Sequence, residues 1–476
     1  MTETGTISLV HPQPVGAFGF PAGLLLVAGT AADVDACRRD LVEGRLPAVW
    51  PEALRGHALV HQGRLDQAAS VFSGPDPVSR YHRWLLDPEA DDAAAVRAGL
   101  PVGLAALVDV VAYTIGLGPV PEADHAELPD EVAALVLAAQ ATAALEVGDP
   151  VTAARTLVAG AQRAGDDSPA LAAVLLGNAG TLAHEHGQPS QAREALTQAA
   201  AALDGSDLRE VRAELLHQLG SIAHEEAASG RGDERALLQE AMGHYYDALQ
   251  LVSEASSPYL WASINMNLAT AQLATPMTQA SDQLRLGIAT QLLRAARRVF
   301  SAEETPGPWS TATLNLANAL VYTPSTHQGD NLVEAVELYE EVLESGVRDA
   351  DPVGRARLLA NQGNALAHLG IFGPATAKLM DARQLFEEAH DHDAVMSVRG
   401  VLNEIARAQV GDPDDDPDSL ARRAEQMSRI PTSDAPRTAG MSVTVTAGDL
   451  TAPPPRPRVT RLEPGQTHPS MPPEQR

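Results

Sequence analysis

The chain is short of lysine, cysteine, aromatics and positive charge. Among 476 residues there are 34 Lys plus Arg, and Lys378 is the only lysine. A phosphate-binding loop of the G-x-x-x-x-G-K-[ST] kind is therefore excluded, and a Schiff-base lysine has one candidate at most. Cys37 is the only cysteine, so neither an intrachain disulfide nor a cysteine zinc site can form. Aromatics make up 4% and the net charge is −28, which excludes the basic stripe that nucleic acid requires. Arginine in place of lysine, with abundant alanine, points to a GC-rich bacterial genome. The most apolar run, from Val15 to Ala32, has no cation before it and contains Pro21. It is read as a buried segment packed on the first helices, since a signal peptide needs a positive n-region and a membrane span needs more length. A cytoplasmic location follows as an expectation.

What the chain does have is an internal repeat. Gly180, Gly187, Ala192, Leu196 and Ala199 recur as Gly363, Gly370, Ala375, Leu379 and Ala382, at offsets of 7, 12, 16 and 19. Gly56, Gly63, Ala68 and Phe72 repeat the first three offsets, and Ala141, Gly148, Ala153 and Leu157 do so again. The spacing describes a helix hairpin. A small residue sits mid-way along one helix, a glycine ends it, and a second small residue opens the next where the axes cross. Such a unit cannot bury its apolar face alone and stacks on neighbours.

Three further units keep the small residues and lengthen the spacing. Gly220 pairs with Ala241, Ala269 with Ala289 and Ala317 with Ala335, at spacings of 21, 20 and 18 instead of 12. The expectation is a longer inter-helix connection. Thr275-Pro276 and Thr323-Pro324 would stop the first helix, and Asp282 and Asp330 would start the second.

This pattern resembles the tetratricopeptide repeat, and the longer units resemble those of large bacterial tetratricopeptide arrays. The resemblance implies an all-α, right-handed solenoid of helix hairpins. The expected organisation is an apolar segment over residues 1–32 and an irregular helical region over 33–128 with one repeat-like unit near 50–75. Repeats with a capping helix (Ala394 to Ala408) follow over 129–408, and an acidic linker with a Pro- and Arg-rich disordered tail over 409–476.

No catalytic signature appears. His184-Glu185-His186 and His224-Glu225-Glu226 share a repeat slot and contain no H-E-x-x-H, and neither a nucleophile elbow nor a dinucleotide loop is present. Arg38 and Arg39 beside Cys37 could activate it, but a buried apolar role is the commoner one. The expectation is no enzyme, no cofactor and no metal.

The distinctive feature is a ladder of amides. Two residues before each small residue stand Asn178, Gln218, Asn267, Asn315 and Asn361; one residue after stand Thr181, Ser221, Thr270, Asn318 and Asn364. The resemblance places these slots in the concave groove, where amides can pair with the N–H and C=O groups of an extended peptide. The alternative is that they bridge adjacent helices. Some members of the family grip a C-terminal carboxylate there with Lys, Asn and Arg; Arg357 is the one cation at a matching slot. The expected function is a scaffold or assembly factor that captures another protein through an extended or mildly basic segment, with no nucleic acid or membrane partner. A peptide- or metabolite-sensing regulator and an accessory chaperone for a larger complex, such as a metalloenzyme, are the alternatives. Pro453 to Arg458 is a preformed extended segment that could itself occupy the groove.

Overall fold

The computed structural model describes residues 9–89, 91–122, 127–230, 232–276, 282–322 and 328–410. The readings made for the tail and for Thr323-Pro324 fall outside these residues. Among the described residues the only strand-type pairing is the isolated bridge between Leu9 and Ala28; the rest is helix and turn.

The chain divides between Leu219 and Gly220 into two units. The first unit begins with α1 (Ala32–Val42), α2 (Arg55–His61), α3 (Leu65–Val71), α4 (Pro77–Leu86), α5 (Ala93–Gly99) and α6 (Val102–Thr114). The hairpins α7 (Asp130–Glu146) with α8 (Pro150–Ala164) and α9 (Pro169–Glu185) with α10 (Pro189–Ala202) follow. Helix α11 (Arg209–Ala228) contains the division. The second unit continues with α12 (Glu234–Leu249), α13 (Pro258–Ala274), α14 (Asp282–Val299), α15 (Pro306–Tyr322), α16 (Gln328–Glu344), α17 (Pro352–His368), α18 (Phe372–Glu388) and α19 (His392–Val410). From α2 to α10 and again from α12 to α19, consecutive helices pack on one another, as in a solenoid of tetratricopeptide-like hairpins.

Local sequence explains the boundaries. Pro150, Pro169, Pro189, Pro258, Pro306 and Pro352 each open a helix, where a missing N–H costs nothing. Asp149 and Asp351 cap α8 and α17 by accepting from the N–H groups of Thr152 and Gly354. At the ends of α2, α7, α9 and α17, Gly63, Gly148, Gly187 and Gly370 take φ near +74°, +77°, +69° and +75°. The residue after each glycine returns its N–H to Leu59, Ala144, Ala183 or Leu366, which closes the helix in the same way four times.

The small residues lie where two axes cross. Ala68, Ala192, Ala241, Ala269, Ala289, Ala317, Ala335 and Ala375 have no exposed surface. A Cβ on Gly56 would meet the Phe72 ring at 2.5 Å, on Gly180 the Cγ of Leu196 at 2.8 Å, on Gly220 the Tyr245 ring at 2.5 Å, and on Gly363 the Cγ of Leu379 at 2.7 Å.

The lengthened units differ from a pure loop insertion. Three residues separate the two helices of each short hairpin (147–149, 186–188 and 369–371), whereas five, seven and five separate those of the long ones. Much of the added length is instead one extra helical turn. Helices α12, α14 and α16 start seven residues before Ala241, Ala289 and Ala335, whereas α8, α10 and α18 start three before theirs. Helix α13 ends at Ala274, just before Thr275-Pro276, whereas Asp330 sits inside the first turn of α16.

In the first unit the apolar N-terminal segment crosses the helices as a strap. Val15, Leu25, Leu26 and Val27 are at most 2% exposed. Side chains hold its backbone. His57 Nε2 and the Leu26 carbonyl are 3.0 Å apart, the Leu26 N–H donates to His82 Nε2 at 2.9 Å, and the Tyr81 hydroxyl donates to the Leu24 carbonyl at 3.0 Å. Gln13, fully buried, accepts from the Val27 N–H at 2.8 Å and donates to the Val10 carbonyl at 2.6 Å. The buried Glu131 of α7 accepts the Gln13 N–H at 3.1 Å and contacts His11.

Candidate functional site

The amide ladder resolves into rungs between successive first helices. The Thr181 hydroxyl donates to Gln218 Oε1 at 2.8 Å, from α9 to α11. Asn267 Nδ2 donates to Ser221 Oγ at 3.4 Å, from α13 to α11. Asn361 Nδ2 donates to Asn318 Oδ1 at 3.1 Å, from α17 to α15, and the buried Tyr339 hydroxyl of α16 donates to the same oxygen at 2.6 Å. In each case the slot after one small residue pairs with the slot two before the next. At these three steps the amides bridge neighbouring helices.

The step from Thr270 to Asn315 has no rung. The Thr270 hydroxyl turns back to the Asn267 carbonyl of its own helix at 2.9 Å. Asn315 is 4% exposed, and its Nδ2 is buried with no hydrogen-bond partner. A buried amide donor without an acceptor costs about 1–3 kcal/mol. Asn178 also lacks a rung, but it is exposed and water can serve it.

Asn315 also lines a cavity of about 40 Å³ between α15 and α17. Asn318, Asn361, Arg357 and Arg348 line it with Asn315, and Thr311 and Leu358 complete its polar and apolar walls. Asn318 uses Oδ1 for both of its bonds, which leaves its Nδ2 for the cavity. Arg348, from the connection between α16 and α17, is anchored through Nε to the Ser310 hydroxyl at 3.2 Å and through Nη1 to Asp351 at 3.3 Å. Neither bond uses Nη2. The polar lining of the cavity is thus amide, hydroxyl and guanidinium, with Arg348 already paired to Asp351.

Of the residues proposed from the repeat, Asn315, Asn318, Arg357 and Asn361 converge on this cavity. Gln218 and Asn267 are held in rungs, and Thr270 is bonded within its helix. Asn364 is half-buried and lies outside the cavity lining. Slot arithmetic could have found Thr311, which stands six residues before Ala317 as Arg357 does before Gly363. Nothing in the spacing marks Arg348, because it lies between hairpins.

The other candidate groups have structural settings. Cys37 is buried and its thiol is pushed up to about 11, first by burial and then by Asp40 and Asp33; Arg38 and Arg39 are paired with Asp35. His224 is buried, and its ring is pushed below the usual histidine range by that burial. The lone lysine is half-exposed and paired with Glu340 at 2.8 Å. Among the described residues no helix is long and apolar enough to cross a membrane.

No protein-family model matches the chain, and no curated protein matches it. Among solved structures, it is similar to that of a Rap protein complexed with competence and sporulation factor, at 11% identity and a TM-score of 0.39, covering 74% of this chain and 95% of that one.

Proposed function

We propose that the chain is a non-enzymatic binding protein, and that it captures an extended segment of another protein at the cavity between α15 and α17. One observation carries this reading: Asn315 holds a buried amide donor without a partner, at the one buried step where the ladder omits its rung. A group from outside that reaches Asn315 Nδ2 and accepts from it would recover that desolvation cost. Asn318 and Asn361, tied to each other, are pre-organised beside it.

The test is selection of dodecapeptides from a random displayed library on the immobilised full chain, repeated with Asn315→Ala. The wild type should enrich a peptide family that the variant loses. Equal enrichment by both would remove the cavity from the function.

A further inference from the structure

The first unit carries a second recessed surface, on the side of α9 turned away from the ladder. Two cavities of about 560 and 490 Å³ adjoin there, with Val158, Gln162, Gln191 and Ala195 in the lining of both. Helices α8 and α10 pack on α9 rather than on each other, so α9 is the floor of a groove and they are its walls. Ala172, Leu176, Ala179 and Ala183 recur at i, i+4, i+7 and i+11 and share the floor face. Asn178 and Thr181 lie on the other side of the same helix. From this geometry we infer that the groove is a docking site for an amphipathic helix of another protein, laid antiparallel to α8 and α10. The site is separate from the cavity between α15 and α17 and does not depend on it.

Shape and charge both select that occupant. Helix α8 has 15 residues. It is therefore about 22 Å long, and the groove takes about four turns of a ligand helix. Alanines in the floor leave depth, which large aliphatic side chains at the same spacing fill. On one wall Val151 is 72% and Val158 36% exposed, apolar surface for a helix to cover. The cavity with Asp166 and Glu194 lies at the C-terminal ends of α8 and α10, beside Gly165 and Ala202. The one with Arg155 lies at their N-terminal ends, beside Pro150 and Gln188. The ends of both wall helices add partial charge of the same signs, negative at the first and positive at the second. An antiparallel helix sets its positive N-terminus at the negative end and its negative C-terminus at the positive one. Basic side chains in its first turn and acidic ones in its last strengthen both contacts. An extended segment has no such dipole, and its backbone N–H and C=O groups would find few partners on an alanine floor.

The experiment titrates the full chain with fluorescent pentadecapeptides, leucine at i, i+4, i+7 and i+11 on an alanine and glutamine background, followed by anisotropy. One peptide has lysines in its first turn and glutamates in its last. A second exchanges them, and a third is the first with proline at its centre. The first should bind about tenfold more tightly than the second, although the second is the better isolated helix. The third should not bind. Gln191 is exposed, so Gln191→Cys should leave the chain folded, and a bulky maleimide coupled there should abolish binding. Cys37 is buried with its thiol pushed up to about 11, so it does not compete for the label. Asn315→Ala should leave this binding unchanged, which separates the site from the cavity between α15 and α17. Equal binding of the first and second peptides overturns the antiparallel seating, and equal binding of the first and third overturns the helix. Binding that survives the label, or no binding of the first peptide, overturns the groove. A full chain that is a dimer, and a monomer once labelled, makes the occupant a second copy and overturns the partner helix.

Discussion

Asn361 donates to Asn318 Oδ1 at 3.1 Å, and this bond ties α17 to α15 directly beside the unpaired Asn315. The contrast predicts opposite stability effects at neighbouring positions of one ladder. Asn318→Ala removes the acceptor of two donors, one of them the buried Tyr339 hydroxyl, and should cost about 1–3 kcal/mol. Asn315→Leu removes a desolvated donor and should be neutral or stabilising by up to about 1 kcal/mol. Chemical denaturation of both variants measures this. A loss at Asn315 equal to that at Asn318 would show that Asn315 already has a partner.

Helix crossings make a second prediction. The Tyr245 ring leaves 2.5 Å for a Cβ on Gly220, and the tyrosine is fully buried. Gly220→Ala should therefore destabilise by about 1–3 kcal/mol, despite the gain in helix propensity. Ala335→Leu, at a fully buried crossing, should cost a similar amount. Gly243→Ala is the control, since a Cβ there meets nothing within 4 Å. A neutral Gly220→Ala would mean that the two helices cross elsewhere.

These crossings were legible from spacing because a missing Cβ is a property of the residue itself. Rungs were less legible. The repeat aligned Thr181 with Ser221 and Asn267 with Asn315, but which slots join depends on rotamers. Thr270 and Thr181 occupy the same slot; the Thr270 hydroxyl serves its own helix alone, while the Thr181 hydroxyl lies within reach of both Gly177 of its own helix and Gln218 of the next. The N-terminal strap was legible only as buried. Its partners His57 and His82 lie 31 and 56 residues from Leu26, with no periodicity to mark them.

Acid sensitivity follows from the buried histidines, His57, His217, His82 and His224, all pushed below the usual histidine range first by burial. His57 and His217 are pushed down to about 4, in both cases first by burial. An unfolded histidine titrates near about 6.5. Between these values the unfolded chain binds more protons than the folded one, so stability rises with pH there. The contribution is complete above about 6.5 and is lost as pH falls towards about 4, at about 1.4 kcal/mol per pH unit for each histidine. Urea midpoints measured from pH 7 to 5 should decline, and His57→Gln should flatten the slope. An unchanged slope in that variant would assign the decline to other groups.

The strap offers the last prediction. His82 accepts the Leu26 N–H at 2.9 Å, so its Nε2 is unprotonated and the ring carries its proton on Nδ1. The ring also packs on Phe72 and His57, at centroid distances of 4.5 and 5.3 Å. His82→Phe keeps that packing and removes the acceptor, together with the Nδ1–H. Leu26 is fully buried, so its N–H would be left without a partner at a cost of about 1–3 kcal/mol. The Leu26 carbonyl keeps its bond to His57, and Gln13 still holds Val27, so the strap should loosen locally. Amide hydrogen exchange, followed by mass spectrometry, should then accelerate in peptides covering residues 24–28 and not in those covering α15 or α17. Acceleration throughout the chain would show instead that the strap unfolds only with the whole molecule, and that its side-chain grip on Leu26 is not a separable element of stability.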